Sequence, residues 1–431
     1  YPWNMTLGAI QDLSLLSTIG RHMGMQAKRL GVHMNFAPVV DVNINPNNPI
    51  IGNRSFGSDV RRVSARALAL SQGMNAAGVF TCAKHFPGHG DTSVDSHKAL
   101  PVLPFTRERL DSIELYPYKT PLLQGVQGVM VAHLDVPVLT GEPGLPVSLS
   151  HKVTTGLLQK ELNFKGLVFT DALNMKGASD FSPDGDVSLK ALLAGNDVLV
   201  IPNDLGLSIA HLSEALKKGV LTEARLAYSV KKILAAKYDL GLNQYSPVQL
   251  NGLTKGLNQP IYKQTIDKAY AQAATYVYQT DTAPIVLKPS DKVAFVAFGE
   301  ASPAIFKEAL QSFGAQAVAV SDLKNGVQSL KTFDYVVVGH HRSMETAYKA
   351  HRFSPEEAAL LKEINALSNT TILAVFTKPY AVLDIPFIKE IPLLFFGYQN
   401  APQIQQYAAQ VLYGKKVALG VLPVSLKGIK H

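Results

Sequence analysis

Cysteine and long apolar runs are the scarcest features of this 431-residue sequence. A single cysteine, Cys82, excludes an internal disulfide, and its apolar surroundings predict a buried, inert thiol. No apolar run approaches the roughly 20 residues that a membrane helix needs, and no signal peptide is evident. The first residue is Tyr1 rather than Met, so we expect the natural N-terminus to lie outside this numbering.

Motifs for phosphate and for nucleic acid are missing as well. Neither GxGxxG nor a P-loop lysine pattern follows a strand candidate, and no cofactor is predicted. The net charge of +8 comes from scattered basic residues, which indicates a solvated surface rather than a nucleic-acid interface. With 47% hydrophobic and 17% charged residues, the chain has the composition of a soluble globular protein, and its length predicts two domains.

Up to about residue 245 the sequence repeats one theme, a short apolar strand, a polar loop and an amphipathic helix. Strands are predicted over residues 32–37, 78–83, 128–132, 166–170 and 197–201. These runs do not alternate, as expected for parallel strands buried on both faces. Ser150 and Thr222 are predicted to cap two of the helices. The second of these helices is predicted to bury Leu226, Val230, Ile233 and Leu234.

Polar residues follow the carboxyl ends of these strands. They are Asp41, Lys84, His85, His133, Asp171, Asn203 and Asp204. A (β/α)8 barrel collects its chemistry along this whole rim, whereas an open doubly wound sheet does so only at its switch point. The pattern therefore predicts an α/β fold with a TIM-type barrel over residues 1–245. Since only about five of eight strands are visible, we expect the first ones to lie upstream of Tyr1.

A polar stretch with glycine and proline, residues 246–262, is predicted to be a linker. A second series of strands follows, at residues 292–299, 334–341, 371–377 and 392–398. This series predicts a smaller three-layer αβα sandwich over residues 263–431. It contains no catalytic constellation, so a role in packing or in shaping the cleft is expected.

The segment KHFPGHGDTSVDSHKALP, residues 84–101, gathers many titratable groups in one loop. A metal site is one interpretation, because imidazoles and carboxylates bind zinc. The histidines at 85, 89 and 97 match neither HxH nor HExxH spacing, however, and glycine and proline interrupt them. His89, between two glycines, is better explained by backbone packing.

Acid/base chemistry explains more of this loop. In Asp95-Ser96-His97, a carboxylate beside one ring nitrogen would fix the tautomer and favour the imidazolium, leaving the other nitrogen to exchange a proton with a substrate. Lys84 and His85 would donate to substrate hydroxyls. The alternative is that Asp95 caps a turn and that His97 is merely solvated.

Asp171 strengthens the acid/base interpretation. It follows the buried run GLVFT, where an unused carboxylate is costly. A carboxylate facing a protonated imidazole across a barrel mouth suits covalent glycosyl transfer. The alternative role for Asp171 is as the N-cap of the LNMKG segment.

Together these segments resemble the bacterial β-N-acetylglucosaminidases of glycoside hydrolase family 3. The resemblance rests on KHFPGHG followed by DTSVDSH, and on NFAPVVDVN (35–43), NPIIGNRSFG (48–57) and FTDALNM (169–175). It covers most of residues 1–245, and the second domain resembles the αβα sandwich of the two-domain members. One departure is the lack of an Asp-x-Glu-Gly-Gly motif, which in the family lies upstream of the segment that begins at Tyr1.

The resemblance implies a retaining hydrolase that removes terminal β-linked N-acetylglucosamine, with peptidoglycan fragments as the natural carbohydrate substrates. Asp171 matches the nucleophile, His97 the acid/base and Asp95 its orienting partner. The residues matching those that hold the sugar are Arg54, Lys84 and His85. No metal is implied. A family 3 β-glucosidase, another β-glycosidase, or a non-catalytic sugar-binding barrel remain the alternatives, and the compartment is left open.

Overall fold

The computed structural model describes residues 1–182, 186–279, 285–323, 326–345, 352–367 and 370–429. These residues form two compact units. The barrel-like unit comprises Leu13–Ile51 and Val60–Tyr262. The sandwich unit comprises Tyr1–Asp12, Gly52–Asp59 and Lys263–His431. Two segments that the sequence places in the barrel, residues 1–12 and 52–59, thus group with the sandwich unit.

The barrel-like unit is built on a parallel sheet in which the strands lie in chain order. Its strands are β1 (Met34–Asn35), β2 (Phe80–Phe86), β3 (Gly128–Val131) and β4 (Leu167–Thr170). A bridge between Phe169 and Val198 adds the fifth predicted segment beside β4. Four of the five predicted strands are confirmed as β1 to β4, whereas residues 197–201 contribute only this isolated bridge. In the described part of this unit they form an open row and not a ring of eight.

The register brings the carboxyl ends of neighbouring strands to one edge of this sheet. Gly128 lies opposite Leu167, and Val131 lies opposite Thr170. Residues that directly follow β2, β3 and β4 therefore emerge side by side, which sets the position of the candidate site.

Helices surround this sheet. They are Leu13–Arg29, Val60–Ala76, Arg107–Ser112, Leu122–Gly125, Pro137–Thr140, Lys152–Glu161 (a π-helix), Lys176–Ser179, Asp186–Ala194, Leu205–Lys217, Glu223–Asp239 and Leu253–Leu257, with short 3-10 turns at Pro117–Lys119, Val147–Leu149 and Leu242–Gln244. The first two pack closely, since a Cβ on Gly73 would lie 1.9 Å from the Ser17 carbonyl oxygen. The predicted linker contains the helix Leu253–Leu257, whose last carbonyl accepts from Gln26 at 2.7 Å.

The predicted caps fare differently. Thr222 caps the helix Glu223–Asp239 through its hydroxyl, which accepts from the Arg225 N–H at 3.2 Å, as predicted. The prediction for Ser150 is wrong, because the helix Lys152–Glu161 begins after His151 and has no side-chain cap.

The predicted buried face of the helix Glu223–Asp239 is also largely wrong. Three of its residues are exposed, Leu226 by 36%, Val230 by 42% and Leu234 by 57%. The helix is held instead by polar contacts, since Ser229 donates to Asp197 at 2.6 Å and Lys232 pairs with the same carboxylate. These contacts turn the neighbouring apolar positions outward. Of the four predicted residues, Ile233 packs against the core of Cys82, Met130, Leu167 and Phe169, as does Ala236 of the same helix.

The sandwich unit holds a six-stranded mixed sheet of order β5-β10-β9-β8-β6-β7. Its strands are β5 (Thr275–Tyr278), β6 (Val293–Phe298), β7 (Gln316–Ala317), β8 (Tyr335–His341), β9 (Thr370–Phe376) and β10 (Leu393–Phe396). The four predicted strands are confirmed as β6, β8, β9 and β10. The sequence prediction missed β7 and the antiparallel strand β5.

Helices and short turns complete the sandwich unit. They are Asn4–Ala9, Ala304–Gln311, Pro355–Asn365 and Pro402–Leu412, with 3-10 turns at Gly52–Arg54, Val320–Leu323, Val327–Thr332, Pro379–Asp384 and Ile388–Glu390; the helix Pro260–Ala273 crosses the division between the units. Phe295, Phe306 and Phe376 join sheet and helices in one core cluster. Within the described ranges, no helix is both long and apolar enough to cross a membrane.

Candidate active site

Titratable side chains gather at the carboxyl edge of the barrel-like sheet. Lys84 and His85 lie at the end of β2, and Asp171 directly follows β4. The Asp171 N–H donates to the carbonyl of Val131 at 2.9 Å, which ties it to the end of β3. The structure thus brings three of the predicted site residues to one edge.

A buried carboxylate organises the end of β2. Asp41 Oδ2 lies 2.7 Å from His85 Nδ1, and Asp41 Oδ1 accepts from the backbone N–H groups of His85 (3.1 Å) and His89 (2.7 Å). Burial raises the pKa of Asp41, but the two histidines outweigh it and lower that pKa to about 2. The carboxylate is ionised and can only accept, so His85 Nδ1 carries the proton and donates it to Asp41. Sequence reasoning placed Asp41 at a strand end but gave it no role.

A bulge in β2 aims His85. Lys84 pairs with Met130 and Phe86 pairs with Val131, so His85 is the extra residue between two pairs. Such a bulge redirects a side chain at a strand end. The Lys84–His85 peptide bond is cis.

The predicted dyad is present in the loop after β2. His97 Nδ1 lies 2.8 Å from Asp95 Oδ1, and the His97 backbone N–H donates to the same oxygen at 2.9 Å. Partial burial raises the pKa of Asp95, but these two contacts with His97 outweigh it and lower that pKa. The His97 side chain is 59% exposed, so Nε2 can reach a ligand. Asp95 thus turns the chain and orients His97, which combines both predicted alternatives for this carboxylate.

Asp171 is held as an anion. Its Oδ1 accepts from the N–H of Ala172 at 2.8 Å. Burial raises the pKa of Asp171, but the nearby His85, His133 and Lys84 together with this N–H lower it overall. The N-cap alternative is wrong, because the next helix begins at Lys176 and Met175 occupies its N-cap position.

The sequence places His133 at the end of a strand but does not predict its role. Its Nε2 lies 3.1 Å from the carbonyl of Ala172, and its Nδ1 lies 2.8 Å from Ser148 Oγ. The carbonyl can only accept, so Nε2 donates and Nδ1 accepts from the hydroxyl. Burial lowers the pKa of His133, which fits this neutral state. His133 therefore braces the backbone that directly follows Asp171.

The loop histidines do not converge on one point. His85 contacts Asp41, His89 contacts Thr92 and Ser96, and His97 contacts Asp95. Among the residues that the structure describes, no cluster of three or more histidine, cysteine or acidic side chains has the arrangement of a metal site. Asp91, the other acidic member of the loop, pairs with Arg109 at 3.0 Å.

Arg54 lies in the turn Gly52–Arg54 of the sandwich unit, where its carbonyl accepts from Asn4 at 2.6 Å. Its predicted contact with a sugar stays a prediction.

Comparison with known proteins identifies the family to which the chain belongs. Residues 1–236 match the family model described as "Glycosyl hydrolase family 3 N terminal domain". This match covers more than half of the chain, so the chain belongs to glycosyl hydrolase family 3. The resemblance stated from the motifs is confirmed at the level of the family.

Two relatives in this family show how similar the chain is to named beta-hexosaminidases. The chain is 29% identical to beta-hexosaminidase A of Pseudoalteromonas piscicida over 80% of its own length and 62% of that protein. It is 39% identical to beta-hexosaminidase LpqI of Mycobacterium tuberculosis over 54% of its length and 61% of that protein. The chain thus spans less than two thirds of either relative.

A solved structure extends the comparison over both units. A family 3 beta-N-acetylglucosaminidase from Paenibacillus sp. str. FPU-7 is 30% identical and superposes with a TM-score of 0.79. The match covers 98% of this chain and 82% of that one. It confirms the predicted fold class, an α/β chain with a barrel-like domain followed by a second domain around its own sheet.

Proposed function

We propose that this chain is a retaining exo-glycosidase that removes terminal β-linked N-acetylglucosamine. One observation carries the proposal: an ionised carboxylate, Asp171, ends one strand, while an imidazole oriented by a carboxylate, His97 with Asp95, projects from the loop after another. Family membership and the names of the relatives support the same reaction and the same sugar.

In the first step Asp171 acts as the nucleophile. Its Oδ1 is engaged by the Ala172 N–H, so we assign the attack on the anomeric carbon to Oδ2. As the new C–O bond forms, the glycosidic bond breaks and its electron pair passes to the departing oxygen. That oxygen takes the proton from His97 Nε2, while the proton on His97 Nδ1 stays there and remains hydrogen-bonded to Asp95.

In the second step water replaces the departed group. Its oxygen attacks the anomeric carbon as His97 Nε2 accepts a proton, and the bond to Asp171 breaks with return of the electron pair to the carboxylate. Two inversions leave the sugar in its original β configuration. Asp95 keeps the imidazole in one tautomer through both steps.

The remaining polar groups would hold the sugar. The Lys84 ammonium lies near enough to Asp171 to lower the pKa of that carboxyl, and it would donate to hydroxyl and acetamido oxygens. His85, whose ring Asp41 orients, would contact the same groups. Arg54 enters this set through the family resemblance. We propose fragments of peptidoglycan, in which N-acetylglucosamine is linked to N-acetylmuramic acid, as the natural substrates.

The test compares nitrophenyl β-N-acetylglucosaminide with nitrophenyl β-glucoside on the same protein. We expect kcat/KM to favour the first by about 100-fold or more, because a site that binds the acetamido group loses those contacts with glucose. Proton NMR should show the β-anomer as the first product. Faster cleavage of the glucoside would support the β-glucosidase alternative, and sugar binding without hydrolysis would support a non-catalytic barrel.

A further inference from the structure

Ser96 stands between the two members of the acid/base dyad, yet its environment is the opposite of theirs. Ser96 is 1% exposed, whereas the Asp95 side chain is 25% and the His97 side chain 59% exposed. The middle of the dyad is therefore fixed inside the protein while both ends face outward. Two contacts hold it.

The first contact is with His89, whose Nε2 lies 3.0 Å from Ser96 Oγ. His89 Nδ1 lies 2.7 Å from Thr92 Oγ1, and that hydroxyl donates its single proton to the His89 carbonyl at 3.1 Å. Thr92 Oγ1 must therefore accept from Nδ1–H. Burial lowers the pKa of His89 to about 4, so the ring is neutral and Nε2 carries a lone pair. The Ser96 hydroxyl donates to that lone pair.

The second contact is with Gly177, whose N–H donates to the Ser96 carbonyl at 3.2 Å. Gly177 belongs to the short helix Lys176–Ser179 that follows Asp171 in sequence. A Cβ at this position would lie 3.2 Å from both the Ser96 carbonyl oxygen and His133 Cβ, so glycine allows the close approach. The acid/base loop and the brace on the nucleophile segment thus meet at Gly177.

We propose that Ser96 is a positioning residue, which fixes the acid/base loop to the segment that carries Asp171. The inference rests on the proposed function, because that function gives His97 and Asp171 their roles. With the Ser96 hydroxyl on His89 and its carbonyl on Gly177, the tripeptide cannot rotate about its centre. The imidazole keeps its place relative to the nucleophile without being buried itself.

Ser96→Ala removes the hydroxyl and keeps the backbone contact. We expect kcat/KM for the disaccharide of N-acetylglucosamine and N-acetylmuramic acid to fall about 30-fold. Glycosyl-enzyme formation from the nitrophenyl glycoside should fall less than about threefold, because that leaving group hardly needs a proton. Azide should accelerate the second step in the variant. Amide hydrogen exchange over residues 95–99 should speed up about tenfold.

Ser93→Ala is the matched control, since Ser93 lies exposed in the same loop and its hydroxyl accepts an exposed hydrogen bond from Asn45 at 3.1 Å. It should leave all these measurements unchanged. Gly177→Ala disturbs the same junction from the other side, so it should lower kcat/KM for the disaccharide and speed up amide exchange over residues 95–99. Because its Cβ also meets His133, which braces the backbone after Asp171, glycosyl-enzyme formation should slow as well. This second variant keeps the test open if Ser96→Ala does not fold.

If the wild-type enzyme is active and Ser96→Ala behaves like Ser93→Ala, the positioning role of Ser96 is overturned while the proposed function stands. Equal losses on both substrates in Ser96→Ala would also overturn this role, because they indicate a purely structural effect, and so would unchanged amide exchange over residues 95–99 in Gly177→Ala. If the folded wild-type protein cleaves neither glycoside, the proposed function is overturned instead. Unchanged amide hydrogen exchange over residues 95–99 in Ser96→Ala would then overturn the positioning role of Ser96 as well.

Discussion

The two units differ in how they partner the charges at their strand ends. In the barrel-like unit carboxylates meet imidazoles. Asp41 holds His85 at 2.7 Å, and Asp95 holds His97 at 2.8 Å. In each pair the carboxylate engages one ring nitrogen and so fixes the tautomer and the orientation of the imidazole.

In the described part of the sandwich unit, a guanidinium at a strand end meets two carboxylates instead. Arg342, directly after β8, pairs with Glu300 at 2.8 Å and with Glu357 at 2.6 Å. Glu357 also accepts from the N–H of Gly299 at 2.9 Å and closes a capping box with Ser354. Burial raises the pKa of Glu300, but the backbone of Ser343 and Arg342 lower it to about 2.

The contrast separates chemistry from structure. An imidazole gains and loses its proton near neutral pH, whereas a guanidinium stays charged. Pairs of the first kind can move a proton during a reaction, while pairs of the second kind can only hold the fold. We therefore expect mutations at the two sets of strand ends to change different quantities.

The largest effect should come from Asp171→Asn. Asparagine keeps the size and the contact with the Ala172 N–H but cannot form a glycosyl ester, so kcat should fall by about 10⁴-fold or more. Glu300→Gln, the matched change in the sandwich unit, should leave kcat within about twofold. Initial rates with the nitrophenyl glycoside, together with circular dichroism of both variants, measure this. Activity near wild type in a folded Asp171→Asn protein would remove Asp171 from the nucleophile role.

His97→Ala should come next, with a loss of about 10²- to 10⁴-fold on the disaccharide. The nitrophenyl glycoside should still form the glycosyl-enzyme, which then accumulates and shows a burst because water lacks its base. Azide needs no base and should release a β-glycosyl azide. Asp95→Asn should give a milder version, since the imidazole survives without its orientation. Equal slowing of both substrates, without burst or rescue, would contradict the acid/base assignment.

How far the sequence could predict this site depends on how local each contact is. Asp95 and His97 are two residues apart, so their pairing is visible as a spacing. Asp41 and His85 are 44 residues apart and meet only because β1 and β2 are neighbours in the sheet. No local pattern encodes that contact, so Asp41 received no role.

The strands follow the same logic. Eight of the nine predicted runs are strands, because parallel strands buried on both faces need unbroken apolar stretches, and the ninth, residues 197–201, forms only an isolated bridge. The strand β5 is antiparallel, with alternating buried and half-buried residues, and β7 is two residues long. Neither carries that signature. The helix Glu223–Asp239 fails for another reason, since Asp197, far away in sequence, decides which face turns inward.

A smaller effect, on stability and not on catalysis, is expected from Arg342→Met. The change leaves Glu300 and the partly buried Glu357 without their cation, so the free energy of unfolding should fall by about 3 kcal/mol. Urea denaturation measures this, and kcat/KM of the folded variant should stay within about twofold. Lys217→Met is the control, because Lys217 is 77% exposed and its ion pair with Glu214 is long, at 3.9 Å, and therefore weak. A lower kcat/KM at unchanged stability would break the proposed separation between the units.

The smallest effect concerns acid stability and the Asp41–His85 pair. The pKa of Asp41 in the folded protein, about 2, lies below its ordinary value, so the unfolded chain binds a proton first as the pH falls. The stabilisation is complete above the ordinary aspartate pKa and disappears as the pH drops towards 2. Between about pH 5 and pH 2.5, wild type should therefore lose about 2 kcal/mol more unfolding free energy than Asp41→Asn, which has no charge to lose.

At neutral pH the Asp41→Asn variant should already be less stable than wild type, because the asparagine amide would donate to His85 Nδ1 and shift the imidazole to the other tautomer. Asp239→Asn, on an exposed helix end, should follow wild type at every pH. If Asp41→Asn and wild type lose stability in parallel, the pair does not carry the acid sensitivity.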